Sequence, residues 1–243
     1  MEIEVFNEVL GEGLEPILGQ DRYYNSLSDS ECFYEIPDWI NGTGYYQGAV
    51  IRFYDLLNKE VYTPFEKEKN VSYSYAKFKN NFFYFLKVDF NKNIVELIKY
   101  YPEQSLESIH KIPIREVELY NLSLEDGYEF HICGSSDRFI SYYPRKFSID
   151  MKPDQSVLYI DKDKIYINQW IEEGIEGDKI TNDYKYYEKL LILDLDGNLI
   201  SERKGSLSQV WRKNHGWWKR NWNLISERKG SLSLYPNGKW YLS

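Results

Sequence analysis

An all-β protein built of antiparallel meanders is the fold class this chain predicts, and three observations predict it. Aromatic residues make up 17% of the 243 residues, with 23 Tyr against 2 Met, so the packing material is aromatic and β-branched and suits a pleated surface better than a helix. Short apolar runs recur between turns rich in Asn, Asp, Gly and Lys. No apolar repeat of helical period persists for three turns, and the short turns leave no room for the crossover helices of a parallel sheet.

Taken in order, residues 3–20 read as a short strand or helical turn that breaks at Gly11, Gly13 and Pro16. Residues 21–48 read as loop with brief strands, because Asp, Ser, Asn and Gly cluster there around Pro37. From Ala49 the pattern firms into two strands about Asn58-Lys59. A three-stranded meander follows: residues 71–78 alternate, 82–88 are apolar and 94–101 return, with Lys79-Asn-Asn81 and Asn91-Lys-Asn93 as turns. Residues 105–111 could form a short helix and 113–120 a fourth strand. Strands are expected at 129–133, 139–143 and 147–151, a hairpin at 157–170 about Asp161-Lys-Asp-Lys164, a polar loop at 174–183, and a strand at 186–195 that turns at Asp196-Gly-Asn198.

The hairpins at 157–170 and 189–200 resemble the inner strands of β-propeller blades, in which an apolar strand meets an Asp-Gly-Asn turn and reverses. At roughly 40 to 50 residues per blade, that resemblance implies about five blades in one domain spanning residues 1–243. A β-sandwich and an open β-meander sheet are the alternatives.

One feature near the carboxyl end stands apart. The eleven residues 198–208, Asn-Leu-Ile-Ser-Glu-Arg-Lys-Gly-Ser-Leu-Ser, return letter for letter at 223–233. Between the copies lies the one strongly basic, Trp-rich segment of the chain, residues 209–222. Trp211, Arg212, Lys213, Trp217, Trp218, Lys219, Arg220 and Trp222 are its candidate binding residues, since aromatic faces beside cations suit single-stranded nucleic acid, glycans or an acidic protein surface. The competing reading is a hairpin about Asn214-His-Gly216, with strands 210–213 and 217–221 and some Trp packed inward.

Charge divides the chain. Residues 201–243 hold nine Lys or Arg against two Glu, so the remaining 200 residues carry −15 of the total −8. Such a body repels nucleic acid and anionic membranes and attracts basic partners.

Catalytic patterns are incomplete. Residues 190–199, Leu-Leu-Ile-Leu-Asp-Leu-Asp-Gly-Asn-Leu, resemble the first motif of haloacid-dehalogenase-type phosphatases, and that resemblance would make Asp194 the nucleophile and Asp196 the acid–base group. Asn198 stands where that family has Thr, and only 43 residues follow Ile200, so a hairpin turn is the expectation. Asp161, Asp163 and Glu172 have the spacing of a calcium loop, but Ile165 and Tyr166 occupy positions that need an oxygen ligand and a Gly. His131 alternates with Phe130 and Ile132 and is expected on the solvated face of a strand. Cys32 and Cys133 are expected to be buried thiols. No catalytic residue, metal ligand or cofactor is assigned.

These readings lead to a non-enzymatic interaction module that binds a protein partner, in particular a basic one, in the manner of an antitoxin or immunity protein. An acidic start without an apolar core, and the lack of an 18-residue apolar run, lead to a cytoplasmic location without a membrane partner. The alternatives are an enzyme acting on a carbohydrate or phosphate ester through an aromatic-lined carboxylate cleft, and binding of nucleic acid or a glycan by residues 209–222; a small molecule is a further candidate partner.

Overall fold

The computed structural model describes residues 5–135, 138–177, 179–214, 217–225, 232–234 and 240–242, and beyond Gly205 it describes only the course of the backbone. Strands take 54% of the residues and helix 6%, so the chain is all-β, and none of the sheets closes on itself among the described residues. Two compact units interleave in sequence: Met1–Leu124 with Ile132–Ser136, and Glu125–His131 with Asp137–Ser243.

The first unit opens with a meander of four antiparallel strands, β1 (Glu15–Pro16), β2 (Tyr23–Ser28), β3 (Val50–Asp55) and β4 (Glu60–Tyr62), hydrogen-bonded in that order. A single helix, α1 (Ile36–Thr43), interrupts it. The region 21–48 is thus more ordered than its loop-like composition suggests. Pro37 starts the helix and Gly44, at φ +88°, ends it by donating its N–H to the carbonyl of Ile40 at 2.9 Å.

The next sheet runs β5 (Val71–Tyr73), β7 (Phe82–Asp89), β8 (Ile94–Tyr101) and β9 (Ser105–Pro113), and β6 (Lys77–Lys79) also pairs with β7. The expected turn at 91–93 falls between β7 and β8, and of the turn expected at 79–81 Lys79 ends β6 while Asn80 and Asn81 turn the chain. The short helix expected at 105–111 is instead β9, whose full length pairs with β8 from Ser105↔Tyr101 to Pro113↔Ile94. Cross-strand pairing outweighs the local pattern there. The strand expected at 113–120 ends at its first residue, and Ile114–Glu116 form a single 3₁₀ turn.

Both sheets contribute to one aromatic core. Phe53 of β3 is fully buried, with ring centroids of Phe83 at 5.0 Å, Tyr100 at 4.9 Å and Phe85 at 5.9 Å. Ile51, Val71, Tyr73 and Ile98 complete the cluster. The period-two alternation of β3, β7 and β8 delivers these side chains to a shared side.

Residues 123–135 supply β10 (Ser123–Glu125) and β11 (His131–Ser135). In the second unit, β12 (Arg138–Tyr143) pairs with β13 (Phe147–Asp150). A four-stranded meander follows in the order β14 (Gln155–Ile160), β15 (Lys164–Glu176), β16 (Lys179–Asp194) and β17 (Leu199–Lys204). The hairpin about residues 161–164 and the turn at 196–198 are as expected. Two further hairpins are β18 (Ser206–Asn214) with β19 (Trp217–Ile225), and β20 (Leu232–Leu234) with β21 (Trp240–Leu242).

Candidate interaction surfaces

The Trp-rich segment forms a ribbon. β18 and β19 pair over nine positions, from Ser206↔Ile225 to Asn214↔Trp217, so the strands are longer than the expected 210–213 and 217–221. His215 and Gly216 lie outside the described residues. The register sets Trp211 opposite Arg220, Lys213 opposite Trp218, Gln209 opposite Trp222, and Arg212 opposite Lys219. Trp211, Lys213, Trp218, Arg220 and Trp222 therefore occupy one set of alternate positions along the ribbon, and Arg212, Trp217 and Lys219 the other.

Sequence reasoning missed a second ribbon. The expected loop at 174–183 is absorbed into β15 and β16, which stay paired from Lys164↔Asp194 to Glu176↔Lys179. Gly177, at φ +60°, and Asp178, which lies outside the described residues, are the two residues between them. The signal was present: Gly-Asp is a two-residue hairpin turn, and Ile175 and Ile180 flank it symmetrically. At Gly174, with φ +81°, a Cβ would sit 2.7 Å from the backbone of Tyr184, so only glycine fits beside the bulge of β16.

The distal half of this hairpin outreaches its neighbours. β14 pairs with β15 up to Gln169, and β17 pairs with β16 from Lys189. Beyond these points no other strand is hydrogen-bonded to either edge among the described residues, leaving a two-stranded arm about 20 Å long. Trp170 stacks on Tyr186 at 4.8 Å and 21°, and both rings are exposed. Glu172 lies on the same side, accepting a hydrogen bond from the Tyr184 hydroxyl at 2.6 Å. That bond holds the phenol above its ordinary pKa. On the opposite side Glu173 accepts from Lys185 at 2.7 Å and from the Tyr187 hydroxyl at 2.7 Å, which hold its carboxyl below the usual range. The tip carries Ile175 and Ile180, the latter 71% exposed. Residues 170–188 hold six acidic side chains against two Lys. An anionic aromatic platform of this kind suits Arg and Lys side chains.

In the first unit, α1 offers a smaller surface of the same character. Glu35, Asp38, Trp39 and Thr43 line a shallow open hollow, with Trp39 exposed. Tyr34 donates to Glu35 at 3.1 Å and its ring lies 5.1 Å from that of Tyr120.

The groups weighed for catalysis serve structure. Asp194 Oδ1 accepts the backbone N–H of Asp196 at 3.0 Å and of Asn198 at 2.8 Å, and Oδ2 accepts the Asn198 amide at 2.9 Å. These bonds lower its pKa and close a hairpin in place of a phosphatase motif. His131 is buried, contrary to its expected solvated position, with Nδ1 2.9 Å from Ser141 Oγ. Ser141 donates to the carbonyl of Arg145 at 2.8 Å, which engages its proton in the turn before β13 and not in a nucleophilic pair. Cys133 is buried as expected, whereas Cys32 is exposed, lying in the segment just before α1. Among the described residues no three His, Cys, Asp or Glu side chains are grouped to hold a metal, and no helix is long and apolar enough to cross a membrane.

Compared with known protein families, with curated proteins and with solved structures, the chain has no match in any of the three.

Proposed function

We propose that the protein is a non-enzymatic, cytoplasmic interaction module that binds a basic protein partner, in the manner of an antitoxin or immunity protein. The observation that carries this reading is the acidic arm of β15 and β16, where an exposed Trp170–Tyr186 stack stands beside Glu172 and Glu188. Exposing large aromatic and aliphatic side chains on a projecting ribbon is unfavourable in isolation and marks interaction sites. The −15 charge of residues 1–200 steers a cationic partner toward such a surface. On this reading the successive open meanders β1–β4, β5-β7-β8-β9 and β14–β17 are blades of a propeller-like scaffold of about five blades.

The test is capture and titration of basic proteins by the full chain, in low and high salt. Trp170→Ala combined with Tyr186→Ala is expected to weaken binding at least tenfold while leaving the unfolding midpoint within about 2 °C, because both rings are exposed. Binding that ignores salt, or that survives the double substitution, counts against the reading. The alternation of Trp with Lys and Arg along β18 and β19 favours a second reading, single-stranded nucleic acid or glycan binding. Trp217→Ala with Trp218→Ala would abolish such binding with the fold intact.

A further inference from the structure

The two sides of the β15–β16 arm differ in how their charges are met. Strand alternation puts Ile171 and Glu173 of β15 on one side, facing Tyr187 and Lys185 of β16. That side supplies its own cations: Lys185 pairs with Glu173 at 2.7 Å, Lys204 Nζ lies 4.7 Å from the centroid of the Tyr187 ring, and Lys189 stands 3.8 Å from Glu202. The other side carries Trp170 opposite Glu188 and Glu172 opposite Tyr186. Among the described residues no Lys or Arg pairs with either of these carboxylates or lies over either ring. Arg203 of β17 shares that side by register, but it stands across from Leu190 and makes no ion pair or ring contact with any of the four.

These four residues form a square on the sheet. Trp170 and Tyr186 occupy one diagonal, stacked at 4.8 Å and 21° and both exposed. Glu172 and Glu188 occupy the other, a diagonal along which Cβ atoms lie about 7 to 8 Å apart. Each carboxylate has one oxygen engaged, Glu172 Oε1 by the Tyr184 hydroxyl at 2.6 Å and Glu188 Oε1 by the Asn168 amide at 3.2 Å. Oε2 of each accepts no hydrogen bond among the described residues, and Asn168 Oδ1 is buried without a donor.

A ring pair bracketed by two half-met carboxylates calls for a flat cation with donors on more than one edge. Guanidinium has that shape, since it lies against a ring and turns its N–H groups outward in its own plane; an ammonium is a compact, strongly hydrated point charge with no flat face to stack. The chain builds the same arrangement for itself elsewhere. Arg22 Cζ lies 5.0 Å from the centroid of the Tyr23 ring, while its Nε and Nη2 donate to the two oxygens of Asp55 at 2.9 and 2.5 Å.

We propose that this square is an arginine-binding site, in which a guanidinium of the partner protein stacks on Trp170 and Tyr186 and donates to Glu172 and Glu188. The site rests on the basic-partner reading of the arm and narrows that partner's contact from any cation to one side chain.

Two short Gly-Ser peptides that carry Arg or Lys at the same positions, titrated into the full chain, test the site. Binding is followed by the indole N–H resonance of Trp170, assigned by its loss in Trp170→Phe. The Arg peptide is expected to shift that resonance and to bind at least about fivefold more tightly than the Lys peptide. Glu172→Gln and Glu188→Gln keep shape and remove charge, and each is expected to bring the preference below about twofold. Glu172 is exposed, so its variant keeps the fold. Glu173→Gln, on the other side, is expected to leave the preference unchanged. Equal affinity for the two peptides, with the resonance moving, overturns the arginine site and leaves the basic-partner reading standing. An Arg preference that survives both Gln variants, or a Trp170 resonance that stays still, overturns the site as well; the wider reading falls only if basic proteins are also not captured through Trp170 and Tyr186.

Discussion

Asp55 and Asp89 end β3 and β7 with the same pair of backbone hydrogen bonds, and each faces one cation. Asp55 Oδ1 accepts the N–H groups two and three residues on, Leu57 at 2.9 Å and Asn58 at 3.3 Å, and Arg22 engages both carboxylate oxygens. Asp89 Oδ1 accepts Asn91 and Lys92, both at 3.0 Å, and Oδ2 accepts Lys92 Nζ at 2.8 Å. Burial pushes both carboxyls up, yet the donors outweigh it, and both lie below the ordinary range. A depressed carboxyl stabilises the fold above its unfolded pKa and loses that contribution as pH falls through the folded value. The stability of the first unit is therefore expected to be flat near neutrality and to fall below about pH 4. Asp55→Asn should cost about 2 kcal/mol at pH 7 and reduce that acid slope, both measured by denaturant titration.

Phe53 is the hub of the aromatic core. Phe53→Ala is expected to cost about 3 to 5 kcal/mol in chemical unfolding. Leu57→Ala, four residues along at a 71% exposed position, should change stability by less than about 0.5 kcal/mol.

Gly44 and Gly48 share φ +88° but not their surroundings. A Cβ at Gly44 meets nothing within 4 Å, whereas one at Gly48 would lie 1.9 Å from the carbonyl oxygen of Glu68. Gly44→Ala is expected to cost about 1 kcal/mol for the left-handed backbone alone. Gly48→Ala adds a clash with main chain and should cost at least about 2 kcal/mol more, so comparison of their unfolding midpoints isolates the steric part.

Glu12 binds a cross-strand set that no short motif announces. It accepts from Ser26, from Arg52 and, at 2.9 Å, from the Tyr54 hydroxyl. Ser26 pairs with Arg52 and Tyr24 with Tyr54 in the β2–β3 register, so these donors share one side of the ladder. Glu12→Ala is expected to destabilise the unit by about 3 kcal/mol, and Arg52→Ala to add little once Glu12 is absent, a coupling that a double-mutant cycle reads directly.

Deleting residues 198–222 joins Gly197 to Asn223 and restores the sequence of β17 residue for residue. The shortened chain is expected to keep the β14–β17 sheet, with an unfolding midpoint within about 2 °C of the full chain and loss only of the Trp fluorescence from the insert.

What the sequence revealed and what it hid follow one physical line. Hairpins whose turns carry their own chemistry were legible: Asn58-Lys59, Asn91-Lys-Asn93 and Asp196-Gly-Asn198 fall between paired strands, and of Asp161-Lys-Asp-Lys164 only the last residue belongs to a strand, β15. β9 was misread because residues 105–111 lack strong alternation and become a strand through their partner β8. Helix α1, only eight residues long, was masked by the polar composition around it, although Pro37 and Gly44 bracket it. The arm was missed because Glu172, Glu173, Glu176 and Asp183 look like loop in the sequence, while Glu172 and Glu173 find their partners in Tyr184, Lys185 and Tyr187 only across the ladder. His131 was placed on the wrong side because alternation does not say which face is solvated when both are covered: Phe130, Ile132 and His131 are all buried.

The interleaving of the two units governs how a growing chain can fold. Residues 125–131 belong to the second unit while the later residues 132–136 belong to the first. No single cut therefore yields both halves: a fragment ending at Leu124 leaves the first unit without its final segment, and one ending at Ser136 carries off the opening of the second. During synthesis the first unit reaches its full complement of residues only after the second has begun to emerge.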